Sequence, residues 1–226
     1  MHMSKTIKTL LFAGLLAFAL PLSACSGTQK SSQSDTTEEK TVKYTVKEND
    51  TYWAPDDPTE YIAKTYDDVS ASLGKSDEEQ AKAVMTAFLA DFFTLSNKDS
   101  DGDIGGLDYI PAASNEDFAE YAKYYYYNNY AQIKAKDGRS ALPQVVNVTL
   151  SNVTPAKITY MDNEYDGYTM NAAIEYADSP EASNFKTSAK CSIIKVQDVH
   201  YVSKADVTGT KEAGEPKDVY RVIAVE

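Results

Sequence analysis

The chain has 226 residues, the size of one domain, and is 42% hydrophobic, 25% charged and 11% aromatic, so it can build a globular core. With only 2 His and 2 Cys, it is neither a disulfide-rich scaffold nor a His- or Cys-rich metal protein. The net charge is −12. Such an acidic body repels nucleic acid and anionic headgroups, so nucleic acid is not an expected partner.

Residues 1–24 read as a secretory signal. Lys5 and Lys8 supply a positive start, and Leu10 to Leu20 is an unbroken apolar run, LLFAGLLAFAL. A bilayer span needs about 20 apolar residues, so the run is too short to cross. Leu22-Ser23-Ala24-Cys25 then resembles the lipobox of bacterial lipoproteins. That resemblance implies cleavage before Cys25, lipid on its sulfur, and a bacterial protein held on the extracytoplasmic face of the cell membrane. Two or three acyl chains anchor stably where one does not. An ordinary signal peptide cleaved near Ala24 is the alternative. Ser26 to Lys40, SGTQKSSQSDTTEEK, has nothing large and apolar to pack and reads as a disordered tether. Residues 25–50 are therefore assigned to the lipidated Cys and its tether, and residues 51–226 to a single globular domain.

Thr41 to Val46 alternates as an edge strand would, or is tether. Pro58-Thr59-Glu60 opens a first helix, with Tyr61, Ile62, Tyr66, Val69 and Leu73 near helical spacing and Gly74 as its stop. Ser76 with Glu79 forms a capping box for the second helix. Ala81, Val84, Met85, Phe88, Leu89, Phe92 and Phe93 give that helix an apolar stripe and carry it to Leu95 or Ser96. A loop follows over 97–106, and Leu107–Ile110 reads as a brief strand ended by Pro111. A third helix opens at Ser114-Asn115-Glu116-Asp117 and is expected to run to Ala135.

From Leu142 the pattern turns to strand. Val146, Val148 and Leu150 alternate, and Ile158 and Tyr160 continue after Pro155. Met170, Ala172, Ile174 and Tyr176 share one face. Thr187–Val202 and Asp218–Val225 complete a meander of four to five antiparallel strands. Three N-terminal helices packed on a curved antiparallel sheet make an α+β fold. The order of elements, with Phe88–Phe93 followed by a loop and Leu107-Asp108-Tyr109-Ile110, resembles the nuclear-transport-factor-2-like (cystatin-like) cone over residues 59–226. The resemblance implies a concave pocket in which a His or Asp can serve as general base.

Candidate chemistry is sparse. His200 is the one histidine beyond the signal, and with Asp108 it is the candidate for proton transfer, which also needs an orienting partner. The bland reading is a solvent-facing or hydrogen-bonded strand histidine. Asp99, Asp101 and Asp103 alternate as calcium ligands do, but the EF-hand register fails at Ile104 and Ile110, so a solvated acidic loop competes with a weak cation site. Tyr121, Tyr124, Tyr125, Tyr126, Tyr127 and Tyr130 crowd one helix. Spacing assigns Tyr121 and Tyr125 to the core, and Tyr124, Tyr127 and Tyr130 to a candidate ligand or partner surface. Cys191 in a strand reads as a small buried hydrophobe. The sequence thus suggests a non-catalytic binding or assembly module with no cofactor. Its expected partners are the membrane, through Cys25, and a surface protein or other envelope component. The rival readings are a cone-fold enzyme using Asp108 or His200 and a small-ligand receptor.

Overall fold

In the computed structural model, residues 44–181, 184–202 and 212–226 are described; Cys25 and the proposed signal and tether up to residue 43 lie outside them. Helix α1 spans Glu60–Ser72, and the Thr59 hydroxyl caps it by accepting from the Ile62 N–H at 3.3 Å. Ile62, Tyr66 and Val69 face inward, and Gly74 at φ 79° turns the chain out of the helix. Helix α2 spans Asp77–Phe92 and starts on the expected capping box. The Ser76 hydroxyl accepts from the Glu79 N–H, while the Glu79 carboxylate accepts from the Ser76 N–H. α2 ends at Phe92 rather than at Leu95, because the Leu95 N–H leaves the helix to bond Pro143 O at 2.8 Å.

Two expectations are corrected between 107 and 137. Leu107–Tyr109 is a 3-10 turn, not a strand. The Asn115 amide donates to Leu107 O and Ile110 O, holding that turn closed. The single third helix is two: α3 over Asn115–Tyr125 and α4 over Tyr130–Asp137, giving four α-helices before the sheet among the described residues. The break has a cause. The N–H groups of Tyr126 and Tyr127 both bond Ala122 O, which closes α3 and drives the Tyr127 ring into the core. Its hydroxyl donates to Phe92 O at 2.6 Å and accepts from Gly105 N–H at 3.2 Å.

The sheet has four antiparallel strands in the order β1-β2-β3-β4: Val145–Tyr160, Asn163–Tyr176, Ser188–Asp198 and Lys217–Val225. β3 stops at Asp198, so His200 lies just beyond a strand rather than within one. Tyr44–Val46 joins no ladder. β1 is an edge strand, which is why it tolerates Pro155. A register shift between Ser151 and Thr154, with Asn152 at φ 53°, bends it. The outer end of the β1–β2 hairpin is tied back by the 2.6 Å bond between Tyr160 Oη and Ser114 Oγ.

α2 packs on α1 and across all four strands. Phe88, Phe92, Phe118, Met170, Ile174, Ile193 and Val222 fill the space between helices and sheet. The space between the sheet and α2 is thus occupied by the protein's own side chains. Cys191 is among them, and burial pushes its thiol pKa up to about 12, so it stays neutral and inert. Removing the cap hydroxyl with Ser76→Ala is expected to cost about 1 kcal/mol, read as a lower urea midpoint at unchanged m-value.

Candidate functional site

The loop after α2 is organised by a buried ion pair. Lys98 Nζ lies 2.6 Å from Asp91 Oδ1, with side chains only 5% and 9% exposed. Asp91 Oδ2 accepts the Gly106 N–H at 2.7 Å, and Lys98 O accepts from the Tyr130 hydroxyl at 2.6 Å. This node joins α2, the 97–106 loop and the start of α4. It also explains Gly105: a Cβ there would lie 2.3 Å from Asp91 O.

A second network gathers Asp108 and His200. His200 Nδ1 stands 3.0 Å from Asp108 Oδ1 and 3.2 Å from Oδ2, and Oδ2 also accepts the Trp53 N–H at 2.8 Å. The Trp53 indole stacks on the imidazole, with centroids 4.7 Å apart and planes 2° apart. Beneath them lies Arg221, 1% exposed. Its guanidinium donates to Asp108 O, to Val199 O at 3.0 Å and to Asp198 Oδ2 at 2.9 Å, and sits 5.6 Å from the centre of the Tyr52 ring. A carboxylate on Nδ1 fixes an imidazole tautomer with Nε2 as acceptor, the geometry of an oriented base. The surroundings do not complete it. The cavity beside Asp108, about 470 Å³, is walled by Trp53, Asp56, Lys98, Gly105 and Tyr201, not by His200. The expectation of Asp108 or His200 acting alone therefore gives way to a pair. That pair latches the 49–55 segment and the exit of β3 to the 3-10 turn and β4.

The third site is an aromatic cleft. Phe93 at the end of α2, Tyr125 and Tyr126 at the end of α3, Ile133 of α4, Tyr176 at the end of β2 and Phe185 before β3 enclose about 210 Å³. The Tyr176 and Phe185 rings pack 5.6 Å apart, and Tyr126 meets Phe93 edge-on at 5.9 Å. The Tyr176 hydroxyl is spent on Lys186 O at 2.9 Å. Burial pushes the Tyr126 phenol pKa up to about 12 and also raises that of Tyr176, so both walls are neutral. The rim is polar, with Asn128, Asn129, Gln132, Lys136, Asp137 and Glu181. Lys136 Nζ bridges Asp137 Oδ2 at 3.0 Å and Glu181 Oε1 at 3.8 Å, while the Asn184 amide donates to Glu181 Oε2 at 2.7 Å.

The sequence candidates fall unevenly on these sites. Tyr124 is 62% exposed, as a surface residue should be, but Tyr127 and Tyr130 are buried structural hydroxyl donors. Tyr125, assigned to the core by spacing, is instead 64% exposed and stacked on Tyr121 at 4.4 Å. The α3–α4 break shifts every later tyrosine relative to one continuous helix. Asp99 pairs with Arg139, Asp101 approaches Lys123 at 4.0 Å, and Asp103 accepts the Asp99 N–H. Among the described residues no group of three His, Cys, Asp or Glu could hold a metal ion. Trp53, Arg221, Tyr176 and Phe185 were not singled out from sequence. A lone Arg within the apolar run of DVYRVIAV was a usable signal for a buried, paired guanidinium. Comparison of the chain with protein-family models, curated proteins and solved structures gives no match.

Two outcomes test these assignments. Lys98→Met leaves the Asp91 carboxylate buried without its cation and is expected to destabilise the domain by roughly 3–5 kcal/mol in urea unfolding. Trp53 is the single tryptophan. Asp108→Ala should therefore red-shift its emission and speed exchange of its amide while the far-UV spectrum stays native; an unchanged emission would contradict the latch.

Proposed function

We propose that the chain is a membrane-anchored, extracytoplasmic bacterial lipoprotein whose α+β domain is a non-catalytic binding module working through the aromatic cleft. The observation that carries this reading is the cleft itself: an open concavity walled by aromatic rings and rimmed by amides. Tyr125 lines the cleft and is exposed, as is Tyr124 next to it in sequence, so aromatic surface is open to a partner. The lipobox-like Leu22–Cys25 supports the anchor. Helices on one face of a bent four-stranded meander support a nuclear-transport-factor-2-like cone, with the cleft at one end of it. Its partner on this reading is a component of the cell envelope.

One observation favours a second reading. The Asp108–His200 pair has the form of an oriented general base, so proton-transfer chemistry on a small ligand is the alternative.

Binding to isolated cell envelope of the chain carrying Cys25→Ala, so that no lipid anchor contributes, separates the two. Tyr125→Ala with Phe185→Ala should lose retention, whereas Lys157→Ala with Asp166→Ala, an exposed pair on the β1–β2 hairpin, should keep it. Retention untouched by the cleft changes but lost in His200→Gln would overturn the cleft reading. Cys25→Ala should release the protein from the membrane into the medium; wild-type protein that takes up no lipid label would overturn the anchor.

A further inference from the structure

Resting on the binding reading above, we propose that the aromatic cleft takes a single neutral sugar ring. Size comes first. A cavity of about 150 Å³ holds a benzene. The cleft's volume of about 210 Å³ therefore suits one six-membered ring with its substituents and is too small for two. An apolar side chain from a partner protein would fit by volume, so the chemistry of the lining has to decide.

The lining is amphipathic in two separate zones. Tyr125, Tyr126, Tyr176 and Phe185 offer ring faces and edges, which match the C–H face of a pyranose. The rim offers Asn128, Asn129 and Gln132, whose side chains make no hydrogen bond to another described residue. Each carboxamide both donates and accepts, as a sugar hydroxyl does, and this reciprocity serves a polyhydroxylated ring better than a purely apolar one. Formal charge points the same way. Lys136 and Lys186 balance Asp137 and Glu181, and both carboxylates already have partners in Lys136 and Asn184. The raised phenol pKa values of Tyr126 and Tyr176 keep the walls uncharged. A site with no net charge gives no Coulomb advantage to an anion or a cation.

Tyr125 is the residue to vary. It is 64% exposed, so its replacement leaves the core intact, and its stacking on Tyr121 presets the ring that a sugar would cover. The full-length chain, held in a detergent with no sugar headgroup, is titrated with methyl α-glucopyranoside and with N-acetylglucosamine. Benzoate and p-cresol are run as an anionic and an apolar ring. Saturation-transfer NMR reads which ligand protons meet protein. The expected result is transfer to sugar ring protons, weakened about tenfold or more by Tyr125→Ala and changed less than about twofold by Tyr125→Phe, which keeps the ring. Binding of p-cresol or benzoate with no sugar binding would overturn the sugar assignment while leaving the cleft a binding site. Sugar binding that survives Tyr125→Ala would place the sugar elsewhere and overturn the site. Transfer to none of the four probes would overturn the ligand class, and envelope retention through the cleft would then still stand or fall by its own test.

Discussion

The buried contact between Asp91 and Lys98 is the constraint on which the helical half depends. Burying two charges is costly, and the Asp91 carboxylate is satisfied further by the Gly106 N–H, while the Lys98 backbone carbonyl is tied to the Tyr130 hydroxyl. Next to it, Tyr127 ties Gly105 to Phe92. These bonds set how the 97–106 loop folds over the end of α2 and where α3 gives way to α4. The aromatic cleft is the space left beside that break. Its shape follows from a polar node in the core, although its walls are apolar.

Arg221 plays the corresponding part on the other side. A guanidinium in the middle of β4 finds acceptors on three pieces of chain: the Asp108 and Val199 carbonyls and the Asp198 carboxylate. With the backbone fixed in this way, the Asp108 carboxylate is left to hold Trp53 and His200. The same contacts that resemble a catalytic dyad close a segment distant in sequence onto the sheet. What separates a latch from a base is access to a substrate, and the cavity beside Asp108 reaches Trp53 and Asp108 without His200.

Much of the architecture was legible because short-range physics set it. The Ser76–Glu79 capping box and the Gly74 stop each act within a few residues, and the structure follows them. The alternation of Val146, Val148 and Leu150 does give a strand, but a register shift between Val145 and Asn147 buries Val145 and leaves Val146 exposed. The misreadings came from long-range competition. Leu107–Ile110 has the composition of a strand, but the Asn115 amide closes it as a 3-10 turn by donating to Leu107 O and Ile110 O. The tyrosine run was misassigned because Tyr127 is drawn into the core by partners 22 and 35 residues away. Helical phase breaks there, so Tyr130, expected on the outer surface, is buried. The cleft itself was not legible: Tyr176 and Phe185 join Tyr126 only through the fold.

The central claim is that binding occurs at the cleft and not at the Asp108–His200 network. Hydrogen exchange of the full-length chain, with and without isolated cell envelope, tests it most directly. The account predicts slowed exchange in 124–133 and 184–186, with 53–56, 104–109 and 200–202 unchanged. Protection confined to the latter three segments, with the cleft unaffected, would contradict it.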